Sequence, residues 1–202
     1  MNTFDEQVCE HQVQWRHAAG LPTNEHGLYN GEPYPWILPP QFWEYGLWPG
    51  IRSGSECSLP NYLRDERIQR HTGSNNLKSS WVACANLYFP FRHSQAGLEL
   101  LAGFLQRHVS SAVQTVDAVE LEYAELGDCA PSQLLGEAGG SRGSGQTSPD
   151  VAFLVNGGRG LILTESKYSE HSFYSCSAKT HACPRRPSTK SSTSLPRPTT
   201  RA

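Results

Sequence analysis

Two short apolar runs, VAFLV at 151–155 and LIL at 161–163, lie either side of the turn-rich stretch NGGRG. Neither run is long enough for an ordinary helix, and both are bounded by turn residues, so the pattern predicts two strands. Asn156-Gly157 accepts positive φ at little cost and marks a hairpin turn. Both faces of each run are apolar, which predicts central strands covered on two sides. A four-residue loop, Asn156 to Arg159, then fixes the register: Asp150 opposite Glu165, Ala152 opposite Leu163, Leu154 opposite Leu161. Opposed residues share a face. Lys167, two residues beyond Glu165, points the same way. A slip by one residue would carry Asp150 to the other face of the sheet.

Elsewhere the pattern is less regular. Residues 1–20 predict a short helix with loosely periodic Val8, Val13 and Trp15. Residues 21–60 include YNGEPYPWILPPQFWEYGLWPG, whose prolines preclude a long helix. The rings of Trp36, Phe42, Trp43, Tyr45 and Trp48 suit either stacking on bases or packing onto the domain. No basic residue interleaves them, so packing is expected. Asn61 to His71 predicts a helix capped by Asn61, with Arg64, Arg67 and Arg70 on a solvated face. Ser80 to Phe91 is apolar, and its period does not separate a buried helix from a strand. Ser94 to Val109 is the clearest helix, capped by Ser94 and striped by Leu98, Leu101, Leu105 and Val109. Val116 to Leu126 alternates Val119, Leu121 and Tyr123 with Glu120 and Glu122, as a half-buried strand near a sheet edge does. Gly136 to Ser148 is a glycine- and serine-rich loop that is neither a P-loop nor a dinucleotide fingerprint.

A length of 202 residues suits one domain with appendages. Three stretches are expected: an aromatic, proline-rich N-terminal extension with a short helix at 1–78, a core at 79–178, and a disordered basic tail at 179–202. There is no run of 18 apolar residues, and the acidic N-terminus lacks the apolar segment of a secretory signal. No membrane association and a cytoplasmic location are therefore expected, with the six cysteines as reduced thiols. The net charge of −2 hides an asymmetry. From Lys179 onward there are six basic residues and no acid, so the first 178 residues carry 11 basic against 19 acidic side chains. That balance excludes a broadly basic nucleic-acid surface there and leaves room for a local patch.

The candidate chemistry gathers at the open end of the hairpin. Two carboxylates set opposite one another repel, and a divalent cation between them relieves the cost. Mg²⁺ (or Mn²⁺) takes oxygen ligands and keeps several waters, so Asp150 and Glu165 suffice, with the Ser166 backbone carbonyl as a further ligand. Such a cation polarises a phosphate oxygen and acidifies an attacking water. Lys167 would neutralise charge growing on the phosphorus or orient the water. The plain alternative is a surface hairpin with solvated charges at its ends. Arg142, in the glycine loop, is a candidate substrate-binding clamp. His171, Cys176, His181 and Cys183 lack the compact spacing of a zinc site.

Pro149-Asp150 followed by Glu165-Ser166-Lys167 resembles the motif of the PD-(D/E)xK nuclease superfamily, which includes restriction endonucleases of bacteria. The resemblance implies an α/β, restriction-endonuclease-like core of helix, three-stranded mixed sheet and helix. It implies a metal-dependent endonuclease that hydrolyses nucleic-acid phosphodiester bonds, in DNA before RNA, with Asp150 and Glu165 on Mg²⁺ and Lys167 assisting. It also implies a further acid from the first core helix, for which Glu99 is the positional match and Glu137 the rival. Many enzymes of this kind cut both strands as homodimers. The second core helix would start at Ser169 and bring Glu170, His171 and Tyr174 near the cation. The family's last strand has no counterpart in the tail, as in a truncated or frameshifted product, which would leave the hairpin's outer edge uncovered. The competing reading is a catalytically inactive relative that binds nucleic acid or a protein partner.

Overall fold

The computed structural model describes residues 3–169. Helix α1, Phe4–Ala18, opens on a reciprocal cap: the Thr3 side chain accepts from the Glu6 N–H, and the Glu6 carboxylate accepts from the Thr3 N–H at 2.6 Å. Two donors left over at the helix start are thereby satisfied. Near its other end Arg16 is buried, and its guanidinium donates to the carbonyls of Pro22, Glu25, Pro35 and Ile37. One arginine thus ties α1 to the irregular segment that follows.

That segment holds a small antiparallel hairpin, β1 (Gly27–Tyr29) and β2 (Glu32–Tyr34). Asn30 and Gly31 between them take φ of 52° and 85°, the pair of left-handed residues a two-residue hairpin turn requires. The tetrapeptide YNGE carried that signal. The hydrophobic pattern did not, because strands this short show no alternation. Two 3-10 turns follow, Pro40–Gly46 and Pro49–Ile51. Trp43 packs against apolar core residues, as ring packing predicts, and Phe42 joins a smaller apolar cluster, whereas Tyr45 and Trp48 stay exposed.

Helix α2, Leu59–Asp65, is shorter than the predicted 61–71, and its cap is Ser58 rather than Asn61. The Ser58 hydroxyl accepts from the Asn61 N–H, with proline in the first turn. The helix stops because Arg67 takes φ of 55°, outside the right-handed region. The ambiguous apolar stretch becomes helix α3, Ser80–Tyr88, and a 3-10 turn, Phe89–His93. Helix α4, Gln95–His108, starts where the sequence predicts, with the Ser94 hydroxyl accepting from the Gly97 N–H at 3.0 Å. Leu101 and Leu105 are buried, but Val109 is exposed, since α4 has ended.

Strands β3 (Val116–Leu121), β4 (Val151–Val155) and β5 (Gly160–Thr164) form one sheet in the order β3-β4-β5, and the short helix α5, Pro131–Leu135, falls between β3 and β4 in sequence. The α/β class is as expected. Both pairings are antiparallel; a mixed sheet needs a parallel strand besides, and none lies among the described residues. The hairpin register is the predicted one, with Ala152 paired to Leu163 and Leu154 to Leu161. Strand β4 is central and buried. Strand β5 is not covered on two sides: among the described residues it is the sheet edge, and Leu161 and Leu163 are 44% and 56% exposed. Alternate residues of a strand point to opposite faces, and only one face of β5 meets the core.

Ile51, Leu59 and Leu63 from the N-terminal stretch interleave with Phe89, Leu105, Val119 and Phe153, so that stretch and the sheet share a core. No described helix is long and apolar enough to cross a membrane. The predicted second core helix, the residues Glu170, His171 and Tyr174, the cluster from His171 to Cys183 and the basic tail lie outside the described residues.

Candidate active site

The last hydrogen-bonded pair at the open end of the hairpin is Val151 with Thr164. Asp150 and Glu165 follow one residue beyond that pair, just outside β4 and β5. Asp150 Oδ2 accepts the Ser166 N–H at 2.6 Å, which draws the chain leaving β5 across the start of β4. Lys167 Nζ donates to Glu165 Oε1 at 2.6 Å, and the Glu165 side chain is 50% exposed. An exposed pair of this kind is worth at most about 1 kcal/mol, so a ligand rearranges it at little cost.

A third carboxyl joins them from β3. The alternation of that strand put Glu122 on the polar face, but it is buried, at 6% exposure. The backbone is the reason: β3 ends at Leu121, and Glu122 takes φ of 48°, which breaks the two-residue period. A non-glycine residue there is strained by roughly 1–2 kcal/mol, and such strain concentrates at functional sites. The Ser148 hydroxyl donates to Glu122 Oε2 at 2.6 Å, and the Trp81 side chain hydrogen-bonds the same carboxyl. The Glu122 N–H donates to the Asp150 carbonyl at 3.1 Å. Burial, and after it the charges of Asp150 and Glu165, push the Glu122 carboxyl above the ordinary glutamate range despite those hydrogen bonds. Periodicity misses this residue. Its one signal in the sequence is an acid placed directly after the last apolar residue of a strand.

Cys84 of α3 lies beneath. Burial pushes its thiol up to about 12, helped by the charges of Asp150, Glu122 and Glu165 and opposed by a hydrogen bond from Ser166. It is therefore a neutral thiol near pH 7, without the thiolate character of a nucleophile or metal ligand. The hydrogen bonds from Ser148 to Glu122, from the Glu122 N–H to the Asp150 carbonyl and from the Ser166 N–H to Asp150 link these residues directly.

The other candidates lie apart or face inward. Glu99 on α4 lines a hollow with Gln114, Thr115 and Val116. Val116 pairs with Val155, whereas Leu121 pairs with Val151, so that hollow is at the end of the sheet away from Asp150. The Glu137 carboxylate accepts from the Thr147 N–H and hydroxyl and closes the glycine loop on itself. The Arg142 guanidinium donates to the Leu121 carbonyl at 2.7 Å, the Glu122 carbonyl at 2.9 Å, the Tyr62 hydroxyl at 3.1 Å, and Glu120 and Glu66 at 3.3 Å each. Arg142 thus anchors the glycine loop to the end of β3, and its donors point into the protein.

The donors at the hairpin end are carboxylate oxygens, which suit a hard cation such as Mg²⁺ or Mn²⁺. Among the described residues no group of three or more His, Cys, Asp and Glu side chains is arranged to hold a metal ion. A cation here would take Asp150 and Glu165 and complete its shell with water, as Mg²⁺ commonly does.

The sequence matches, over residues 10–195, the family described as Restriction Endonuclease associating with ARP (REase-ARP). The chain belongs to this family. The REase-ARP match covers Glu122, Asp150, Glu165 and Lys167 alike, and it makes the chain restriction-endonuclease-like, as the motif suggested. No curated protein and no solved structure matches the chain.

Proposed function

We propose that this REase-ARP chain is a metal-dependent endonuclease of the PD-(D/E)xK kind, hydrolysing phosphodiester bonds of nucleic acid, with DNA as the first substrate to test. The observation that carries the reading is the hairpin register, whose last pair, Val151 with Thr164, is followed by Asp150 on one side and Glu165 on the other, with Asp150 accepting the Ser166 N–H. Asp150, Glu165 and the Ser166 carbonyl would hold Mg²⁺ or Mn²⁺. When bound, that ion supplies Lewis acidity and a more acidic water. The protein's own part is positioning. Asp150 holds the Ser166 N–H and so fixes the turn that presents Glu165 and Lys167. Lys167, once it leaves Glu165, places positive charge where a phosphate gains negative charge. Glu122 stands behind the pair as a buried acid.

Two measurements test this. Mg²⁺ or Mn²⁺ should raise the melting temperature of the wild type and leave that of Asp150→Asn unchanged. Plasmid cleavage in Mg²⁺ should fall at least about a hundredfold in Glu165→Ala and in Lys167→Ala, a barrier increase of about 2.7 kcal/mol. Cleavage that survives both substitutions removes the catalytic assignment. A second reading is favoured by the lack of a three-ligand group among the described residues: an inactive member that binds nucleic acid, or the partner that the family's description calls ARP. It predicts retention on nucleic acid or on that partner with no metal-dependent melting shift.

A further inference from the structure

A cleft of about 690 Å³ opens beside the hairpin end, lined among others by His11 and Trp15 of α1, Trp48 and Arg52 of the 3-10 segment, Asn86 of α3, and Tyr168. Three aromatic side chains of different elements therefore meet around one opening. Arg52 is its cation, with His11 beside it, and among the described residues no carboxylate lines it. In a chain whose first 178 residues carry 19 acids against 11 bases, such a lining is unusual and suits an anionic strand.

The cleft is joined to the acidic site along two paths. Tyr168 follows Lys167 directly, and its hydroxyl accepts from Gln12 Nε2 of α1 at 3.4 Å. Ala83 lines the cleft, and its neighbour Cys84 is hydrogen-bonded to Ser166, which stands between Glu165 and Lys167. The backbone that carries Trp48 is held. The Trp48 backbone N–H donates to Asn86 Oδ1 at 2.7 Å, and Asn86 Nδ2 donates to the Gly46 carbonyl at 2.9 Å. The Trp48 ring lies over Gly50, where an added Cβ would come within 2.1 Å of it. Even so, Trp48 is 54% exposed. Arg52 is oriented by its Nε–H on the Leu47 carbonyl at 2.9 Å and its Nη2 on the Tyr45 carbonyl at 3.0 Å.

We infer that this cleft takes an unpaired nucleobase of the substrate strand, stacked on Trp48 and Tyr168 with Arg52 at its phosphate, one step from the scissile bond. The inference rests on the nuclease reading for the identity of the strand. Its recognition chemistry is that of single-stranded nucleic acid: every base offers a π face to a ring, and the backbone follows a positive rim. Duplex substrate would supply such a base only after local unpairing, which costs a few kcal/mol and favours a mismatched or single-stranded site.

The test uses the full chain in a metal chelator, where no cleavage is needed. The probes are short single-stranded DNA and RNA oligonucleotides carrying 2-aminopurine, read by its fluorescence and by anisotropy. The wild type should bind and quench the probe. Trp48→Ala should weaken binding roughly ten- to a hundredfold and abolish the quenching. Trp48→Phe should keep most of both. Gly50→Ala, which displaces the ring without removing it, should reproduce the Trp48→Ala result with unchanged circular dichroism. Unequal response to the DNA and RNA probes identifies which strand the cleft serves. Quenching by a protein that cleaves no plasmid supports the cleft and removes the nuclease reading. Plasmid cleavage with equal affinity and no quenching in wild type and Trp48→Ala overturns the cleft and leaves the nuclease reading intact.

Discussion

Glu120 lies 2.6 Å from an Arg92 nitrogen and 2.7 Å from the Tyr62 hydroxyl, with Arg142 at 3.3 Å. Burial pushes its carboxyl up, but Arg92, Tyr62 and Arg142 together outweigh burial and hold it below the ordinary range. A carboxyl depressed in the folded state stabilises the fold above its unfolded value and loses that contribution as pH falls toward its folded value. Glu120→Gln should therefore be less stable than the wild type by about 2 kcal/mol at pH 7, and the gap should close below about pH 4. Urea denaturation at the two pH values measures it. Cys84 gives a second residue-level check: with its thiol near 12, iodoacetamide should label the exposed Cys129 first and leave Cys84 unmodified in the folded protein. At this scale the strand pairing that brackets Asp150 and Glu165 was legible because strand alternation and a turn dipeptide are local rules. Glu122 was not, because its burial depends on one left-handed φ that no pattern of side chains announces.

Among the elements, the β4–β5 hairpin was the most legible and α2 the least. Asn156 explains the first case. It takes φ of 59°, its Oδ1 accepts from the Gln114 and Thr115 N–H groups, and its Nδ2 donates to the Ala112 carbonyl. The turn residue is therefore also the clasp to the chain entering β3. Asn156→Ala should lose about 2 kcal/mol, from hydrogen bonds and from strain together, while Asn156→Gly should recover only the strain, both read by urea denaturation. Helix α2 was misplaced because proline in its first turn and a left-handed Arg67 set its limits, and neither follows from the charge pattern of NYLRDERIQRH. The exposed face of β5 was misjudged for a related reason: apolar residues on both faces of a strand do not say how many faces a fold covers.

For the whole molecule, the α/β class was legible and little of the connectivity was. The packing of Phe42 and Trp43 was foreseen from the lack of interleaved bases, whereas Tyr45 and Trp48 stay exposed, and the segment's route depends on Arg16, whose four carbonyl acceptors lie between Pro22 and Ile37. Arg16→Ala should free that segment to limited proteolysis, and Arg16→Lys should not restore it, since a single ammonium cannot reproduce a planar fork of donors. The charge balance of the first 178 residues also reads differently on the fold, because Glu66, Glu120 and Asp5 are engaged with Arg142, Arg92 and Lys78. These three acids and three bases cancel, so the acidic excess stays with the remaining side chains.

The glycine loop before Asp150 contains left-handed Gly139, Gly143 and Gly145, yet one inward-pointing guanidinium fastens it to β3. On the proposed nuclease reading, random mutagenesis scored by loss of plasmid cleavage should therefore recover Arg142 as often as the acids themselves, although its donors are taken up within the protein, and second-site revertants should stiffen the loop rather than restore a charge.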